Sequence, residues 1–307
     1  MVNQLIELFG KIILMMGLGF TLERVGTITE EMKKNLSKLL MEAVLPASIL
    51  ASAFQPFEKE NFLGIAIVFG VSALYYLISL GILILISKKI KGDWGFKSVF
   101  INLIVFANVG FIGFPLLVEL FGQKGLLYGV AYNVSYQIFF FSLGIYLMEL
   151  GDKTKRKKVI FNKIILISLL SVFLYILPFR LPNFVGESLS MVGSMIVPLS
   201  MIIIGCEVSR MDFRSIFTEK YPYIISFFRL ILLPFVMCLV LSVFKIERDI
   251  ALIIVLLTAL PSGSLTVIFS EEKNCDTQLA VRGVAQTTLL MLISVPIVLI
   301  IMKNVFV

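Results

Sequence analysis

Long apolar runs separated by short polar connections fill almost the whole chain. A helix of about 20 apolar residues is long enough to cross the hydrocarbon core of a bilayer. The pattern therefore predicts ten membrane-spanning helices, which we number as spans 1 to 10. They cover residues 4–22, 35–55, 62–87, 97–121, 125–150, 163–180, 183–208, 221–245, 249–271 and 278–303. Because the polar connections are short, no soluble domain is expected between the spans.

The composition supports a membrane location. Hydrophobic residues make up 59% of the chain and charged residues 15%, whereas soluble domains have roughly 45–50% and 25%. The sequence therefore predicts an all-α integral membrane protein. The chain has no histidine and only three scattered cysteines, so we expect no metal site, no disulfide framework and no cofactor.

The basic residues predict the orientation of the chain. If both termini are extracytoplasmic, the cytoplasmic connections hold eighteen of the 27 Lys and Arg residues, and the opposite side holds six. Cytoplasmic loops of membrane proteins carry this excess. We therefore expect a multi-pass protein of the plasma membrane with both termini outside. Basic runs such as "KTKRKK" then report topology, so the bilayer is an expected partner and a nucleic acid is not.

The spans repeat after half of the chain. "AVLPASILASAF" in span 2 and "MIVPLSMIIIGCEV" in span 7 both place a serine two residues after a proline. Pro115 in span 4 matches Pro261 in span 9 at a similar offset. The chain is therefore interpreted as two five-helix repeats, 1–152 and 153–307. Because five is odd, the second repeat is inverted relative to the first, and matched helix breaks in inverted repeats indicate a substrate site.

Spans 4 and 9 also carry a family resemblance. Asn108, Gly110, Gly113 and Pro115 in "FANVGFIGFPLLVEL" resemble the fourth-helix motif of the auxin efflux carrier family. "ALPSG", residues 259–263, resembles the ninth helix of that family. The family includes plant PIN-type carriers and bacterial permeases for malate or malonate. The likeness extends over nearly the whole chain, but the long central cytoplasmic loop of the plant carriers is missing.

The resemblance implies a fold similar in outline to bile-acid symporters and sodium–proton antiporters. In that fold, broken spans 4 and 9 would cross near the middle of the bilayer. Spans 1, 2, 6 and 7 would form a scaffold, and spans 3–5 and 8–10 a transport domain that moves like an elevator. The resemblance also suggests a homodimer formed through the scaffold helices.

The residues around the two prolines suggest how an anion would bind. Proline is tolerated at the first position of a helix, so Pro115 and Pro261 would each begin a half-helix inside the membrane. The positive ends of these half-helices, with the Asn108 amide, would attract a carboxylate. The carbonyl ends of the preceding half-helices could instead hold a cation.

Other polar residues inside the spans are further candidates. Gln137 and Gln286 occupy comparable places in the two repeats, and Asn133 lies one turn from Gln137; simple interhelical hydrogen bonds are the alternative. Arg229 and Glu42 are candidates for charge coupling. The alternatives are a structural pair or snorkelling for Arg229 and a helical i,i+4 pair with Lys38 for Glu42. The complete set of substrate-binding candidates is Asn108, Val109, Gly110, Gly113, Pro115, Pro261, Ser262, Gly263, Asn133, Gln137 and Gln286.

These features favour a secondary transporter of a small organic anion, such as a dicarboxylate or an auxin-like acid. The alternative within the class is a sodium-coupled symporter of the bile-acid type, and the coupling ion would be H⁺ or Na⁺. An enzyme is disfavoured because we find no catalytic set in the sequence. A membrane sensor or channel is disfavoured because no signalling domain or polar pore is evident.

Overall fold

The computed structural model describes residues 2–54, 57–150, 163–177, 182–210, 216, 218–244 and 246–305. Most of these residues are helical, and none of them forms a β-strand. The prediction of an all-α protein is therefore confirmed. The predicted junction between the repeats, at residues 152 and 153, lies outside the described residues, as does the basic stretch that follows it.

Fifteen α-helices are described, and short 3₁₀ or π-helical turns join some of them. They are α1 (Val2–Arg24), α2 (Glu30–Leu39), α3 (Leu45–Ala51), α4 (Lys59–Ser87), α5 (Trp94–Val105), α6 (Phe114–Phe139), α7 (Ile145–Glu149), α8 (Lys163–Ile176), α9 (Asn183–Gly193), α10 (Ile196–Ser209), α11 (Lys220–Phe227), α12 (Leu233–Val243), α13 (Arg248–Thr258), α14 (Leu265–Glu272) and α15 (Thr277–Val305). The π-helical turns are Leu40–Val44, Val109–Gly113, Phe140–Gly144 and Phe228–Leu232.

Six helical segments of the described chain are long and apolar enough to cross a membrane. They are Glu30–Phe54, Lys59–Ser87, Val109–Glu149, Asn183–Ser209, Lys220–Val243 and Thr277–Met302. Two shorter apolar helices, α5 and α8, add to them. The segment Val109–Glu149 is interrupted at Gly122, whose φ of 63° lies in the left-handed region. Glycine is favoured there because it has no Cβ.

The helices are grouped into two compact units. The first contains Met1–Ala66, Gly110–Ala131 and Asn162–Met211, and the second contains Ile67–Val109, Tyr132–Phe161 and Asp212–Val307. Each unit therefore takes segments from both halves of the sequence. The units do not coincide with residues 1–152 and 153–307.

Reciprocal glycine contacts pack α1 against α10 in the first unit. A Cβ built on Gly19 would lie 2.1 Å from the carbonyl oxygen of Ile202, and one on Gly205 would lie 2.0 Å from that of Met16. No side chain fits at such distances, so each helix uses a glycine where the backbone of the other approaches. In the same unit, Gly193 of α9 faces the backbone of Ser48 in α3.

In the second unit, polar contacts join α7 to α5 and to the residue that follows α14. The indole N–H of Trp94 donates to the carbonyl of Leu147 (2.6 Å). The ammonium group of Lys273, just after α14, lies 2.6 Å from a carboxylate oxygen of Glu149 in α7. Both side chains of this ion pair are largely buried. The unit also contains both interruptions of the chain that form the candidate site.

Candidate functional site

The first interruption lies between α5 and the π-helical turn Val109–Gly113. Helix α5 ends at Val105, and Phe106 continues with an extended backbone (φ −100°, ψ 117°). The break was predicted at Pro115, but the backbone leaves the helix at Phe106–Asn108 and is helical again from Val109. Pro115 is the second residue of α6, which follows the π-helical turn directly. A proline at this place is compatible with a helix, since the π-helical turn before it alters the hydrogen bonding that the ring would disrupt.

The second interruption lies between α13 and α14. Helix α13 ends at Thr258, and α14 begins at Leu265 after an N-cap at Ser264. Pro261 lies inside this interruption. The prediction that a half-helix begins at Pro261 is therefore wrong by a few residues, although the predicted position of the break is close.

The two interruptions bind each other through their backbones. Ala107 and Ser262 form an antiparallel bridge. The amide of Asn108 donates to the carbonyl of Pro261 (2.9 Å), and the amide of Gly263 donates to the carbonyl of Phe106 (2.8 Å). An unsatisfied backbone group in hydrocarbon costs several kcal/mol, so each interruption supplies the partners that the other has lost.

Side chains reinforce the bridge on both sides. The hydroxyl of Ser262 donates to the carbonyl of Leu103 (2.7 Å), and its amide donates to the hydroxyl of Thr287 (3.1 Å). The side-chain amide of Asn108 donates to the hydroxyl of Ser264 (3.1 Å). These contacts fix Asn108 beside the beginning of α14.

A group of buried aromatic side chains surrounds Phe106. Its ring stacks on Tyr76 with the centroids 5.4 Å apart, and it meets the rings of Tyr136 and Phe140 edge to face at 5.6 and 5.1 Å. All four side chains are buried. The interruption at Phe106–Asn108 is therefore held in an apolar and largely dry environment, where electrostatic interactions are stronger than in water.

Arg229 binds the carbonyl groups at the ends of α5 and α13. The guanidinium group is fully buried. It donates to the carbonyls of Ile104 (3.0 Å) and Val105 (2.9 Å) at the end of α5. It also donates to the carbonyl of Leu257 (3.4 Å) at the end of α13 and to that of Leu260 (2.8 Å), two residues beyond this end. The carbonyl ends that the sequence offered to a cation are therefore bound by an arginine of the same unit.

The beginning of α14 keeps backbone donors available. The amides of Thr266 and Val267 donate to the carbonyls of Gly263 and Ser264. The amides of Ser264 and Leu265 precede these bonds and have no partner within the described part of the chain. Both residues are partly exposed. Two N–H groups at a positive helix end thus lie next to the Asn108 side chain, and such a helix end favours an anion.

Gln137 and Gln286 both lie buried in the second unit. The Oε1 atom of Gln286 accepts a hydrogen bond from the hydroxyl of Ser226 (3.1 Å). Its Nε2 atom and the Oε1 atom of Gln137 have no partner among the described residues. Asn133 is also buried in this unit. Each glutamine therefore uses less than its full hydrogen-bonding capacity.

The remaining candidates are distributed over both units. Val109 directly follows Asn108 in the second unit, whereas Gly110, Gly113 and Pro115 belong to the first. A Cβ on Gly110 would lie 3.9 Å from Leu45, which is an ordinary contact. Glu42, the candidate for charge coupling, is exposed in the first unit.

Three contributors to the site were not predicted. Thr287 and Ser264 support the bridge and Asn108, and Tyr75 donates to the carbonyl of Val105 while it accepts from Arg229. Ser264 follows the "ALPSG" motif directly, so its closeness in sequence was the available signal. Nothing in the sequence pairs Tyr75 or Thr287 with the breaks.

Comparisons with known proteins find similarity over most of the chain. A family model described as "Membrane transport protein" matches residues 5–158 and 152–299. A protein of Methanothermobacter thermautotrophicus described as an uncharacterized transporter is 23% identical over 285 residues, which cover 91% of this chain and 92% of that protein. An uncharacterized transporter of Methanocaldococcus jannaschii is 22% identical over 295 residues, covering 90% and 92%.

Proposed function

The chain belongs to the membrane transport protein family, and from this premise we propose that it is a secondary transporter of a small organic anion. The substrate class is a carboxylate, such as a dicarboxylate or an auxin-like acid. The protein is a multi-pass membrane protein, and we assign it to the plasma membrane with both termini outside on the distribution of basic residues.

One observation carries the anion proposal. Ser264 and Leu265 are partly exposed residues, and their backbone amides lie at the beginning of α14 next to the side-chain amide of Asn108. Each group is a hydrogen-bond donor, and the helix end adds a partial positive charge. A carboxylate accepts hydrogen bonds from such donors more strongly than a neutral group does. Gln137, Gln286 and Asn133 would then contact the rest of the substrate.

The proposal includes ten spans arranged as two inverted repeats. The interruptions before Val109 and before Leu265 lie about half a chain apart and pair antiparallel. In the first unit, α1 packs on α10 and α8 packs on α3. The first contact joins span 1 to span 7, and the second joins span 6 to span 2. Spans 1 and 2 correspond to spans 6 and 7 in the repeat, so two symmetry-related repeats are expected to make both contacts.

The transport cycle is proposed to be elevator-like. The first unit contains spans 1, 2, 6 and 7, and the second contains most of spans 3, 5, 8, 9 and 10. One difference from the arrangement that the resemblance implies is that residues 110–131, which include the second half of span 4, group with the first unit. We propose that the second unit carries the bound anion, with H⁺ or Na⁺ as the candidate coupling ions and a homodimer formed through spans 1, 2, 6 and 7.

Asn108 provides the experiment that tests this function. If its amide donates to a carboxylate, Asn108→Ala removes a hydrogen bond to a charged group worth roughly 1.5–3 kcal/mol. At 1.4 kcal/mol per tenfold, the affinity falls by about ten- to a hundredfold. Asn108→Asp weakens binding further, because it places a negative charge against the anion in a dry environment. Binding of malate, malonate and indole-3-acetate to the purified protein, and their flux into proteoliposomes, measures these effects.

Asn102, which lies on α5 six residues before Asn108, supplies a matched control. Its side-chain amide donates to the carbonyls of Ser98 (2.8 Å) and Gly144 (3.2 Å) and is fully buried. Asn102→Ala is expected to lower the melting temperature and leave the anion affinity unchanged, whereas Asn108→Ala lowers the affinity. An Asn108→Asp protein that binds the anion normally would refute the assignment.

A further inference from the structure

Arg229 has an unusual set of partners for a buried charge. Its side chain is 0% exposed, and its hydrogen bonds go to the hydroxyl of Tyr75 and to backbone carbonyls. None of the ion pairs formed by the described residues includes it. A buried charge is normally paired with an opposite charge. Something other than a carboxylate of the described chain must therefore compensate this guanidinium.

The ends of two helices supply that compensation. The C-terminal end of a helix carries about half a negative charge. Arg229 bonds to carbonyls at the ends of both α5 and α13, so the two ends together balance about one positive charge. The arginine therefore sits where free carbonyls of broken helices would otherwise attract a metal cation.

This balance also affects the neighbouring anion site. Leu260, which accepts from Arg229, directly precedes Pro261, and Pro261 accepts from the amide of Asn108. Without the arginine, the negative ends of α5 and α13 would oppose an anion at the beginning of α14. Because the arginine neutralises these two ends, they do not cancel the partial positive charge at the beginning of α14.

We propose that Arg229 is a tethered cation that occupies the carbonyl-lined position between the two interruptions and makes the adjacent site selective for anions. The inference rests on the proposed function only for the identity of the transported ligand. In the symporter alternative, a bound Na⁺ would supply the positive charge at this position. Here the guanidinium group of Arg229 supplies a permanent charge that belongs to the chain itself. Arg229 is thus a positioning residue for the substrate and not a coupling site.

The first test uses the unchanged protein. Its melting temperature is measured in NaCl, KCl and N-methylglucamine chloride at equal ionic strength, without substrate. A ligand that binds only the folded state raises the melting temperature in a saturable way. We expect the three salts to give the same curve. The hydroxyl of Tyr75 contacts both Arg229 and the carbonyl of Val105. A saturable stabilisation by Na⁺ alone that Tyr75→Phe abolishes would show that a metal ion shares this position, and it would overturn the inference.

The second test removes the tethered charge and returns it in free form. Arg229→Ala is expected to melt at a lower temperature and to regain several degrees in millimolar methylguanidinium. Methylurea, a neutral molecule of similar shape, is the control and is expected to restore nothing. Equal effects of both compounds would mean that the arginine acts by volume and neutral hydrogen bonding, which would overturn the inference. Arg229→Gln, which keeps a shorter donor side chain without charge, replaces the alanine variant if that variant does not fold.

The charge also has a signature in ligand binding. Arg229→Lys is expected to keep most of the anion affinity, and Arg229→Gln to lose at least tenfold although it also donates hydrogen bonds. Equal losses in the two variants would contradict a role for charge. If no carboxylate binds to the unchanged protein, the proposed function fails, while the salt and methylguanidinium experiments still decide whether Arg229 is a tethered cation.

Discussion

Gly263 offers the most direct test of the bridge between the two interruptions. It is buried, and its amide donates to the carbonyl of Phe106. A Cβ added at this position would lie 3.0 Å from the carbonyl oxygen of Ala107, 3.3 Å from that of Phe106 and 3.3 Å from the hydroxyl of Tyr136. Two of these three neighbours are backbone atoms of the bridge itself, so they cannot move aside as the end of a flexible side chain can.

The expected cost of Gly263→Ala follows from this crowding. Overpacking a tight site typically costs about 1–3 kcal/mol. Lengthening the hydrogen bond to Phe106 adds about 0.5–1.5 kcal/mol. For chains of roughly 150–250 residues, each kcal/mol lowers the melting temperature by about 2–4 °C. The expected decrease in melting temperature is therefore about 3 to 18 °C.

Gly110→Ala is the matched control for this experiment. The nearest atom to its added Cβ lies at 3.9 Å, and alanine is favoured over glycine in a helix by about 1 kcal/mol. We expect its melting temperature to be unchanged or slightly higher. The thermal unfolding of both variants is followed in the same detergent by intrinsic fluorescence. Identical melting temperatures for the two variants would show that the bridge does not constrain Gly263 and would refute the geometry.

Three further predictions concern other parts of the molecule. Gly19→Ala is expected to destabilise the protein strongly in thermal unfolding, because its Cβ would overlap a backbone carbonyl. Gly17→Ala on the same helix has nothing within 4 Å of its Cβ and should be neutral. Equal effects of the two substitutions would contradict the close helix contact. Lys273→Met leaves the Glu149 carboxylate unpaired and should lower the unfolding free energy by up to about 3–5 kcal/mol. Adding Glu149→Leu should recover much of the lost stability. A double variant as unstable as Lys273→Met alone would argue against the pair. Cysteines added at the two termini should react with an impermeant reagent in intact cells, and one placed at Lys155 should not; protection of both termini would reverse the predicted topology.

The sequence predicted the type of structure better than the position of its breaks. Hydropathy alone indicated the helices, because apolar runs of about 20 residues are typical of membrane-spanning helices. The break in span 4 was placed at Pro115 since proline is the strongest local signal against a helix. The chain is interrupted at Phe106–Asn108 instead, where the sequence contains no glycine or proline. What permits that interruption is a partner at Pro261 and Gly263, and pattern analysis does not reveal such a distant hydrogen bond.

The role of Arg229 was hidden for a related reason. The sequence marked an embedded arginine as a candidate for charge coupling or for a structural ion pair. Its actual partners include the carbonyls of Leu257, Leu260, Ile104 and Val105, and every residue type carries such a carbonyl. Contacts to backbone atoms do not restrict the residue type of the partner, so the sequence does not reveal them. Asn108 was predicted because an amide inside an apolar run is rare, and the structure places it beside a helix end.

The antiparallel bridge also has a consequence for how the chain is made. Asn108 and its partner Ser264 are separated by 156 positions. At about 5–20 residues per second, the ribosome needs roughly 8–30 s to produce the second interruption after the first. During that interval the carbonyl of Phe106 and the amide of Asn108 lack their native partners. The nascent first half must therefore wait at the membrane with an open break, in contact with water, lipid headgroups or the insertion machinery, and the emergence of α13 and α14 allows it to close.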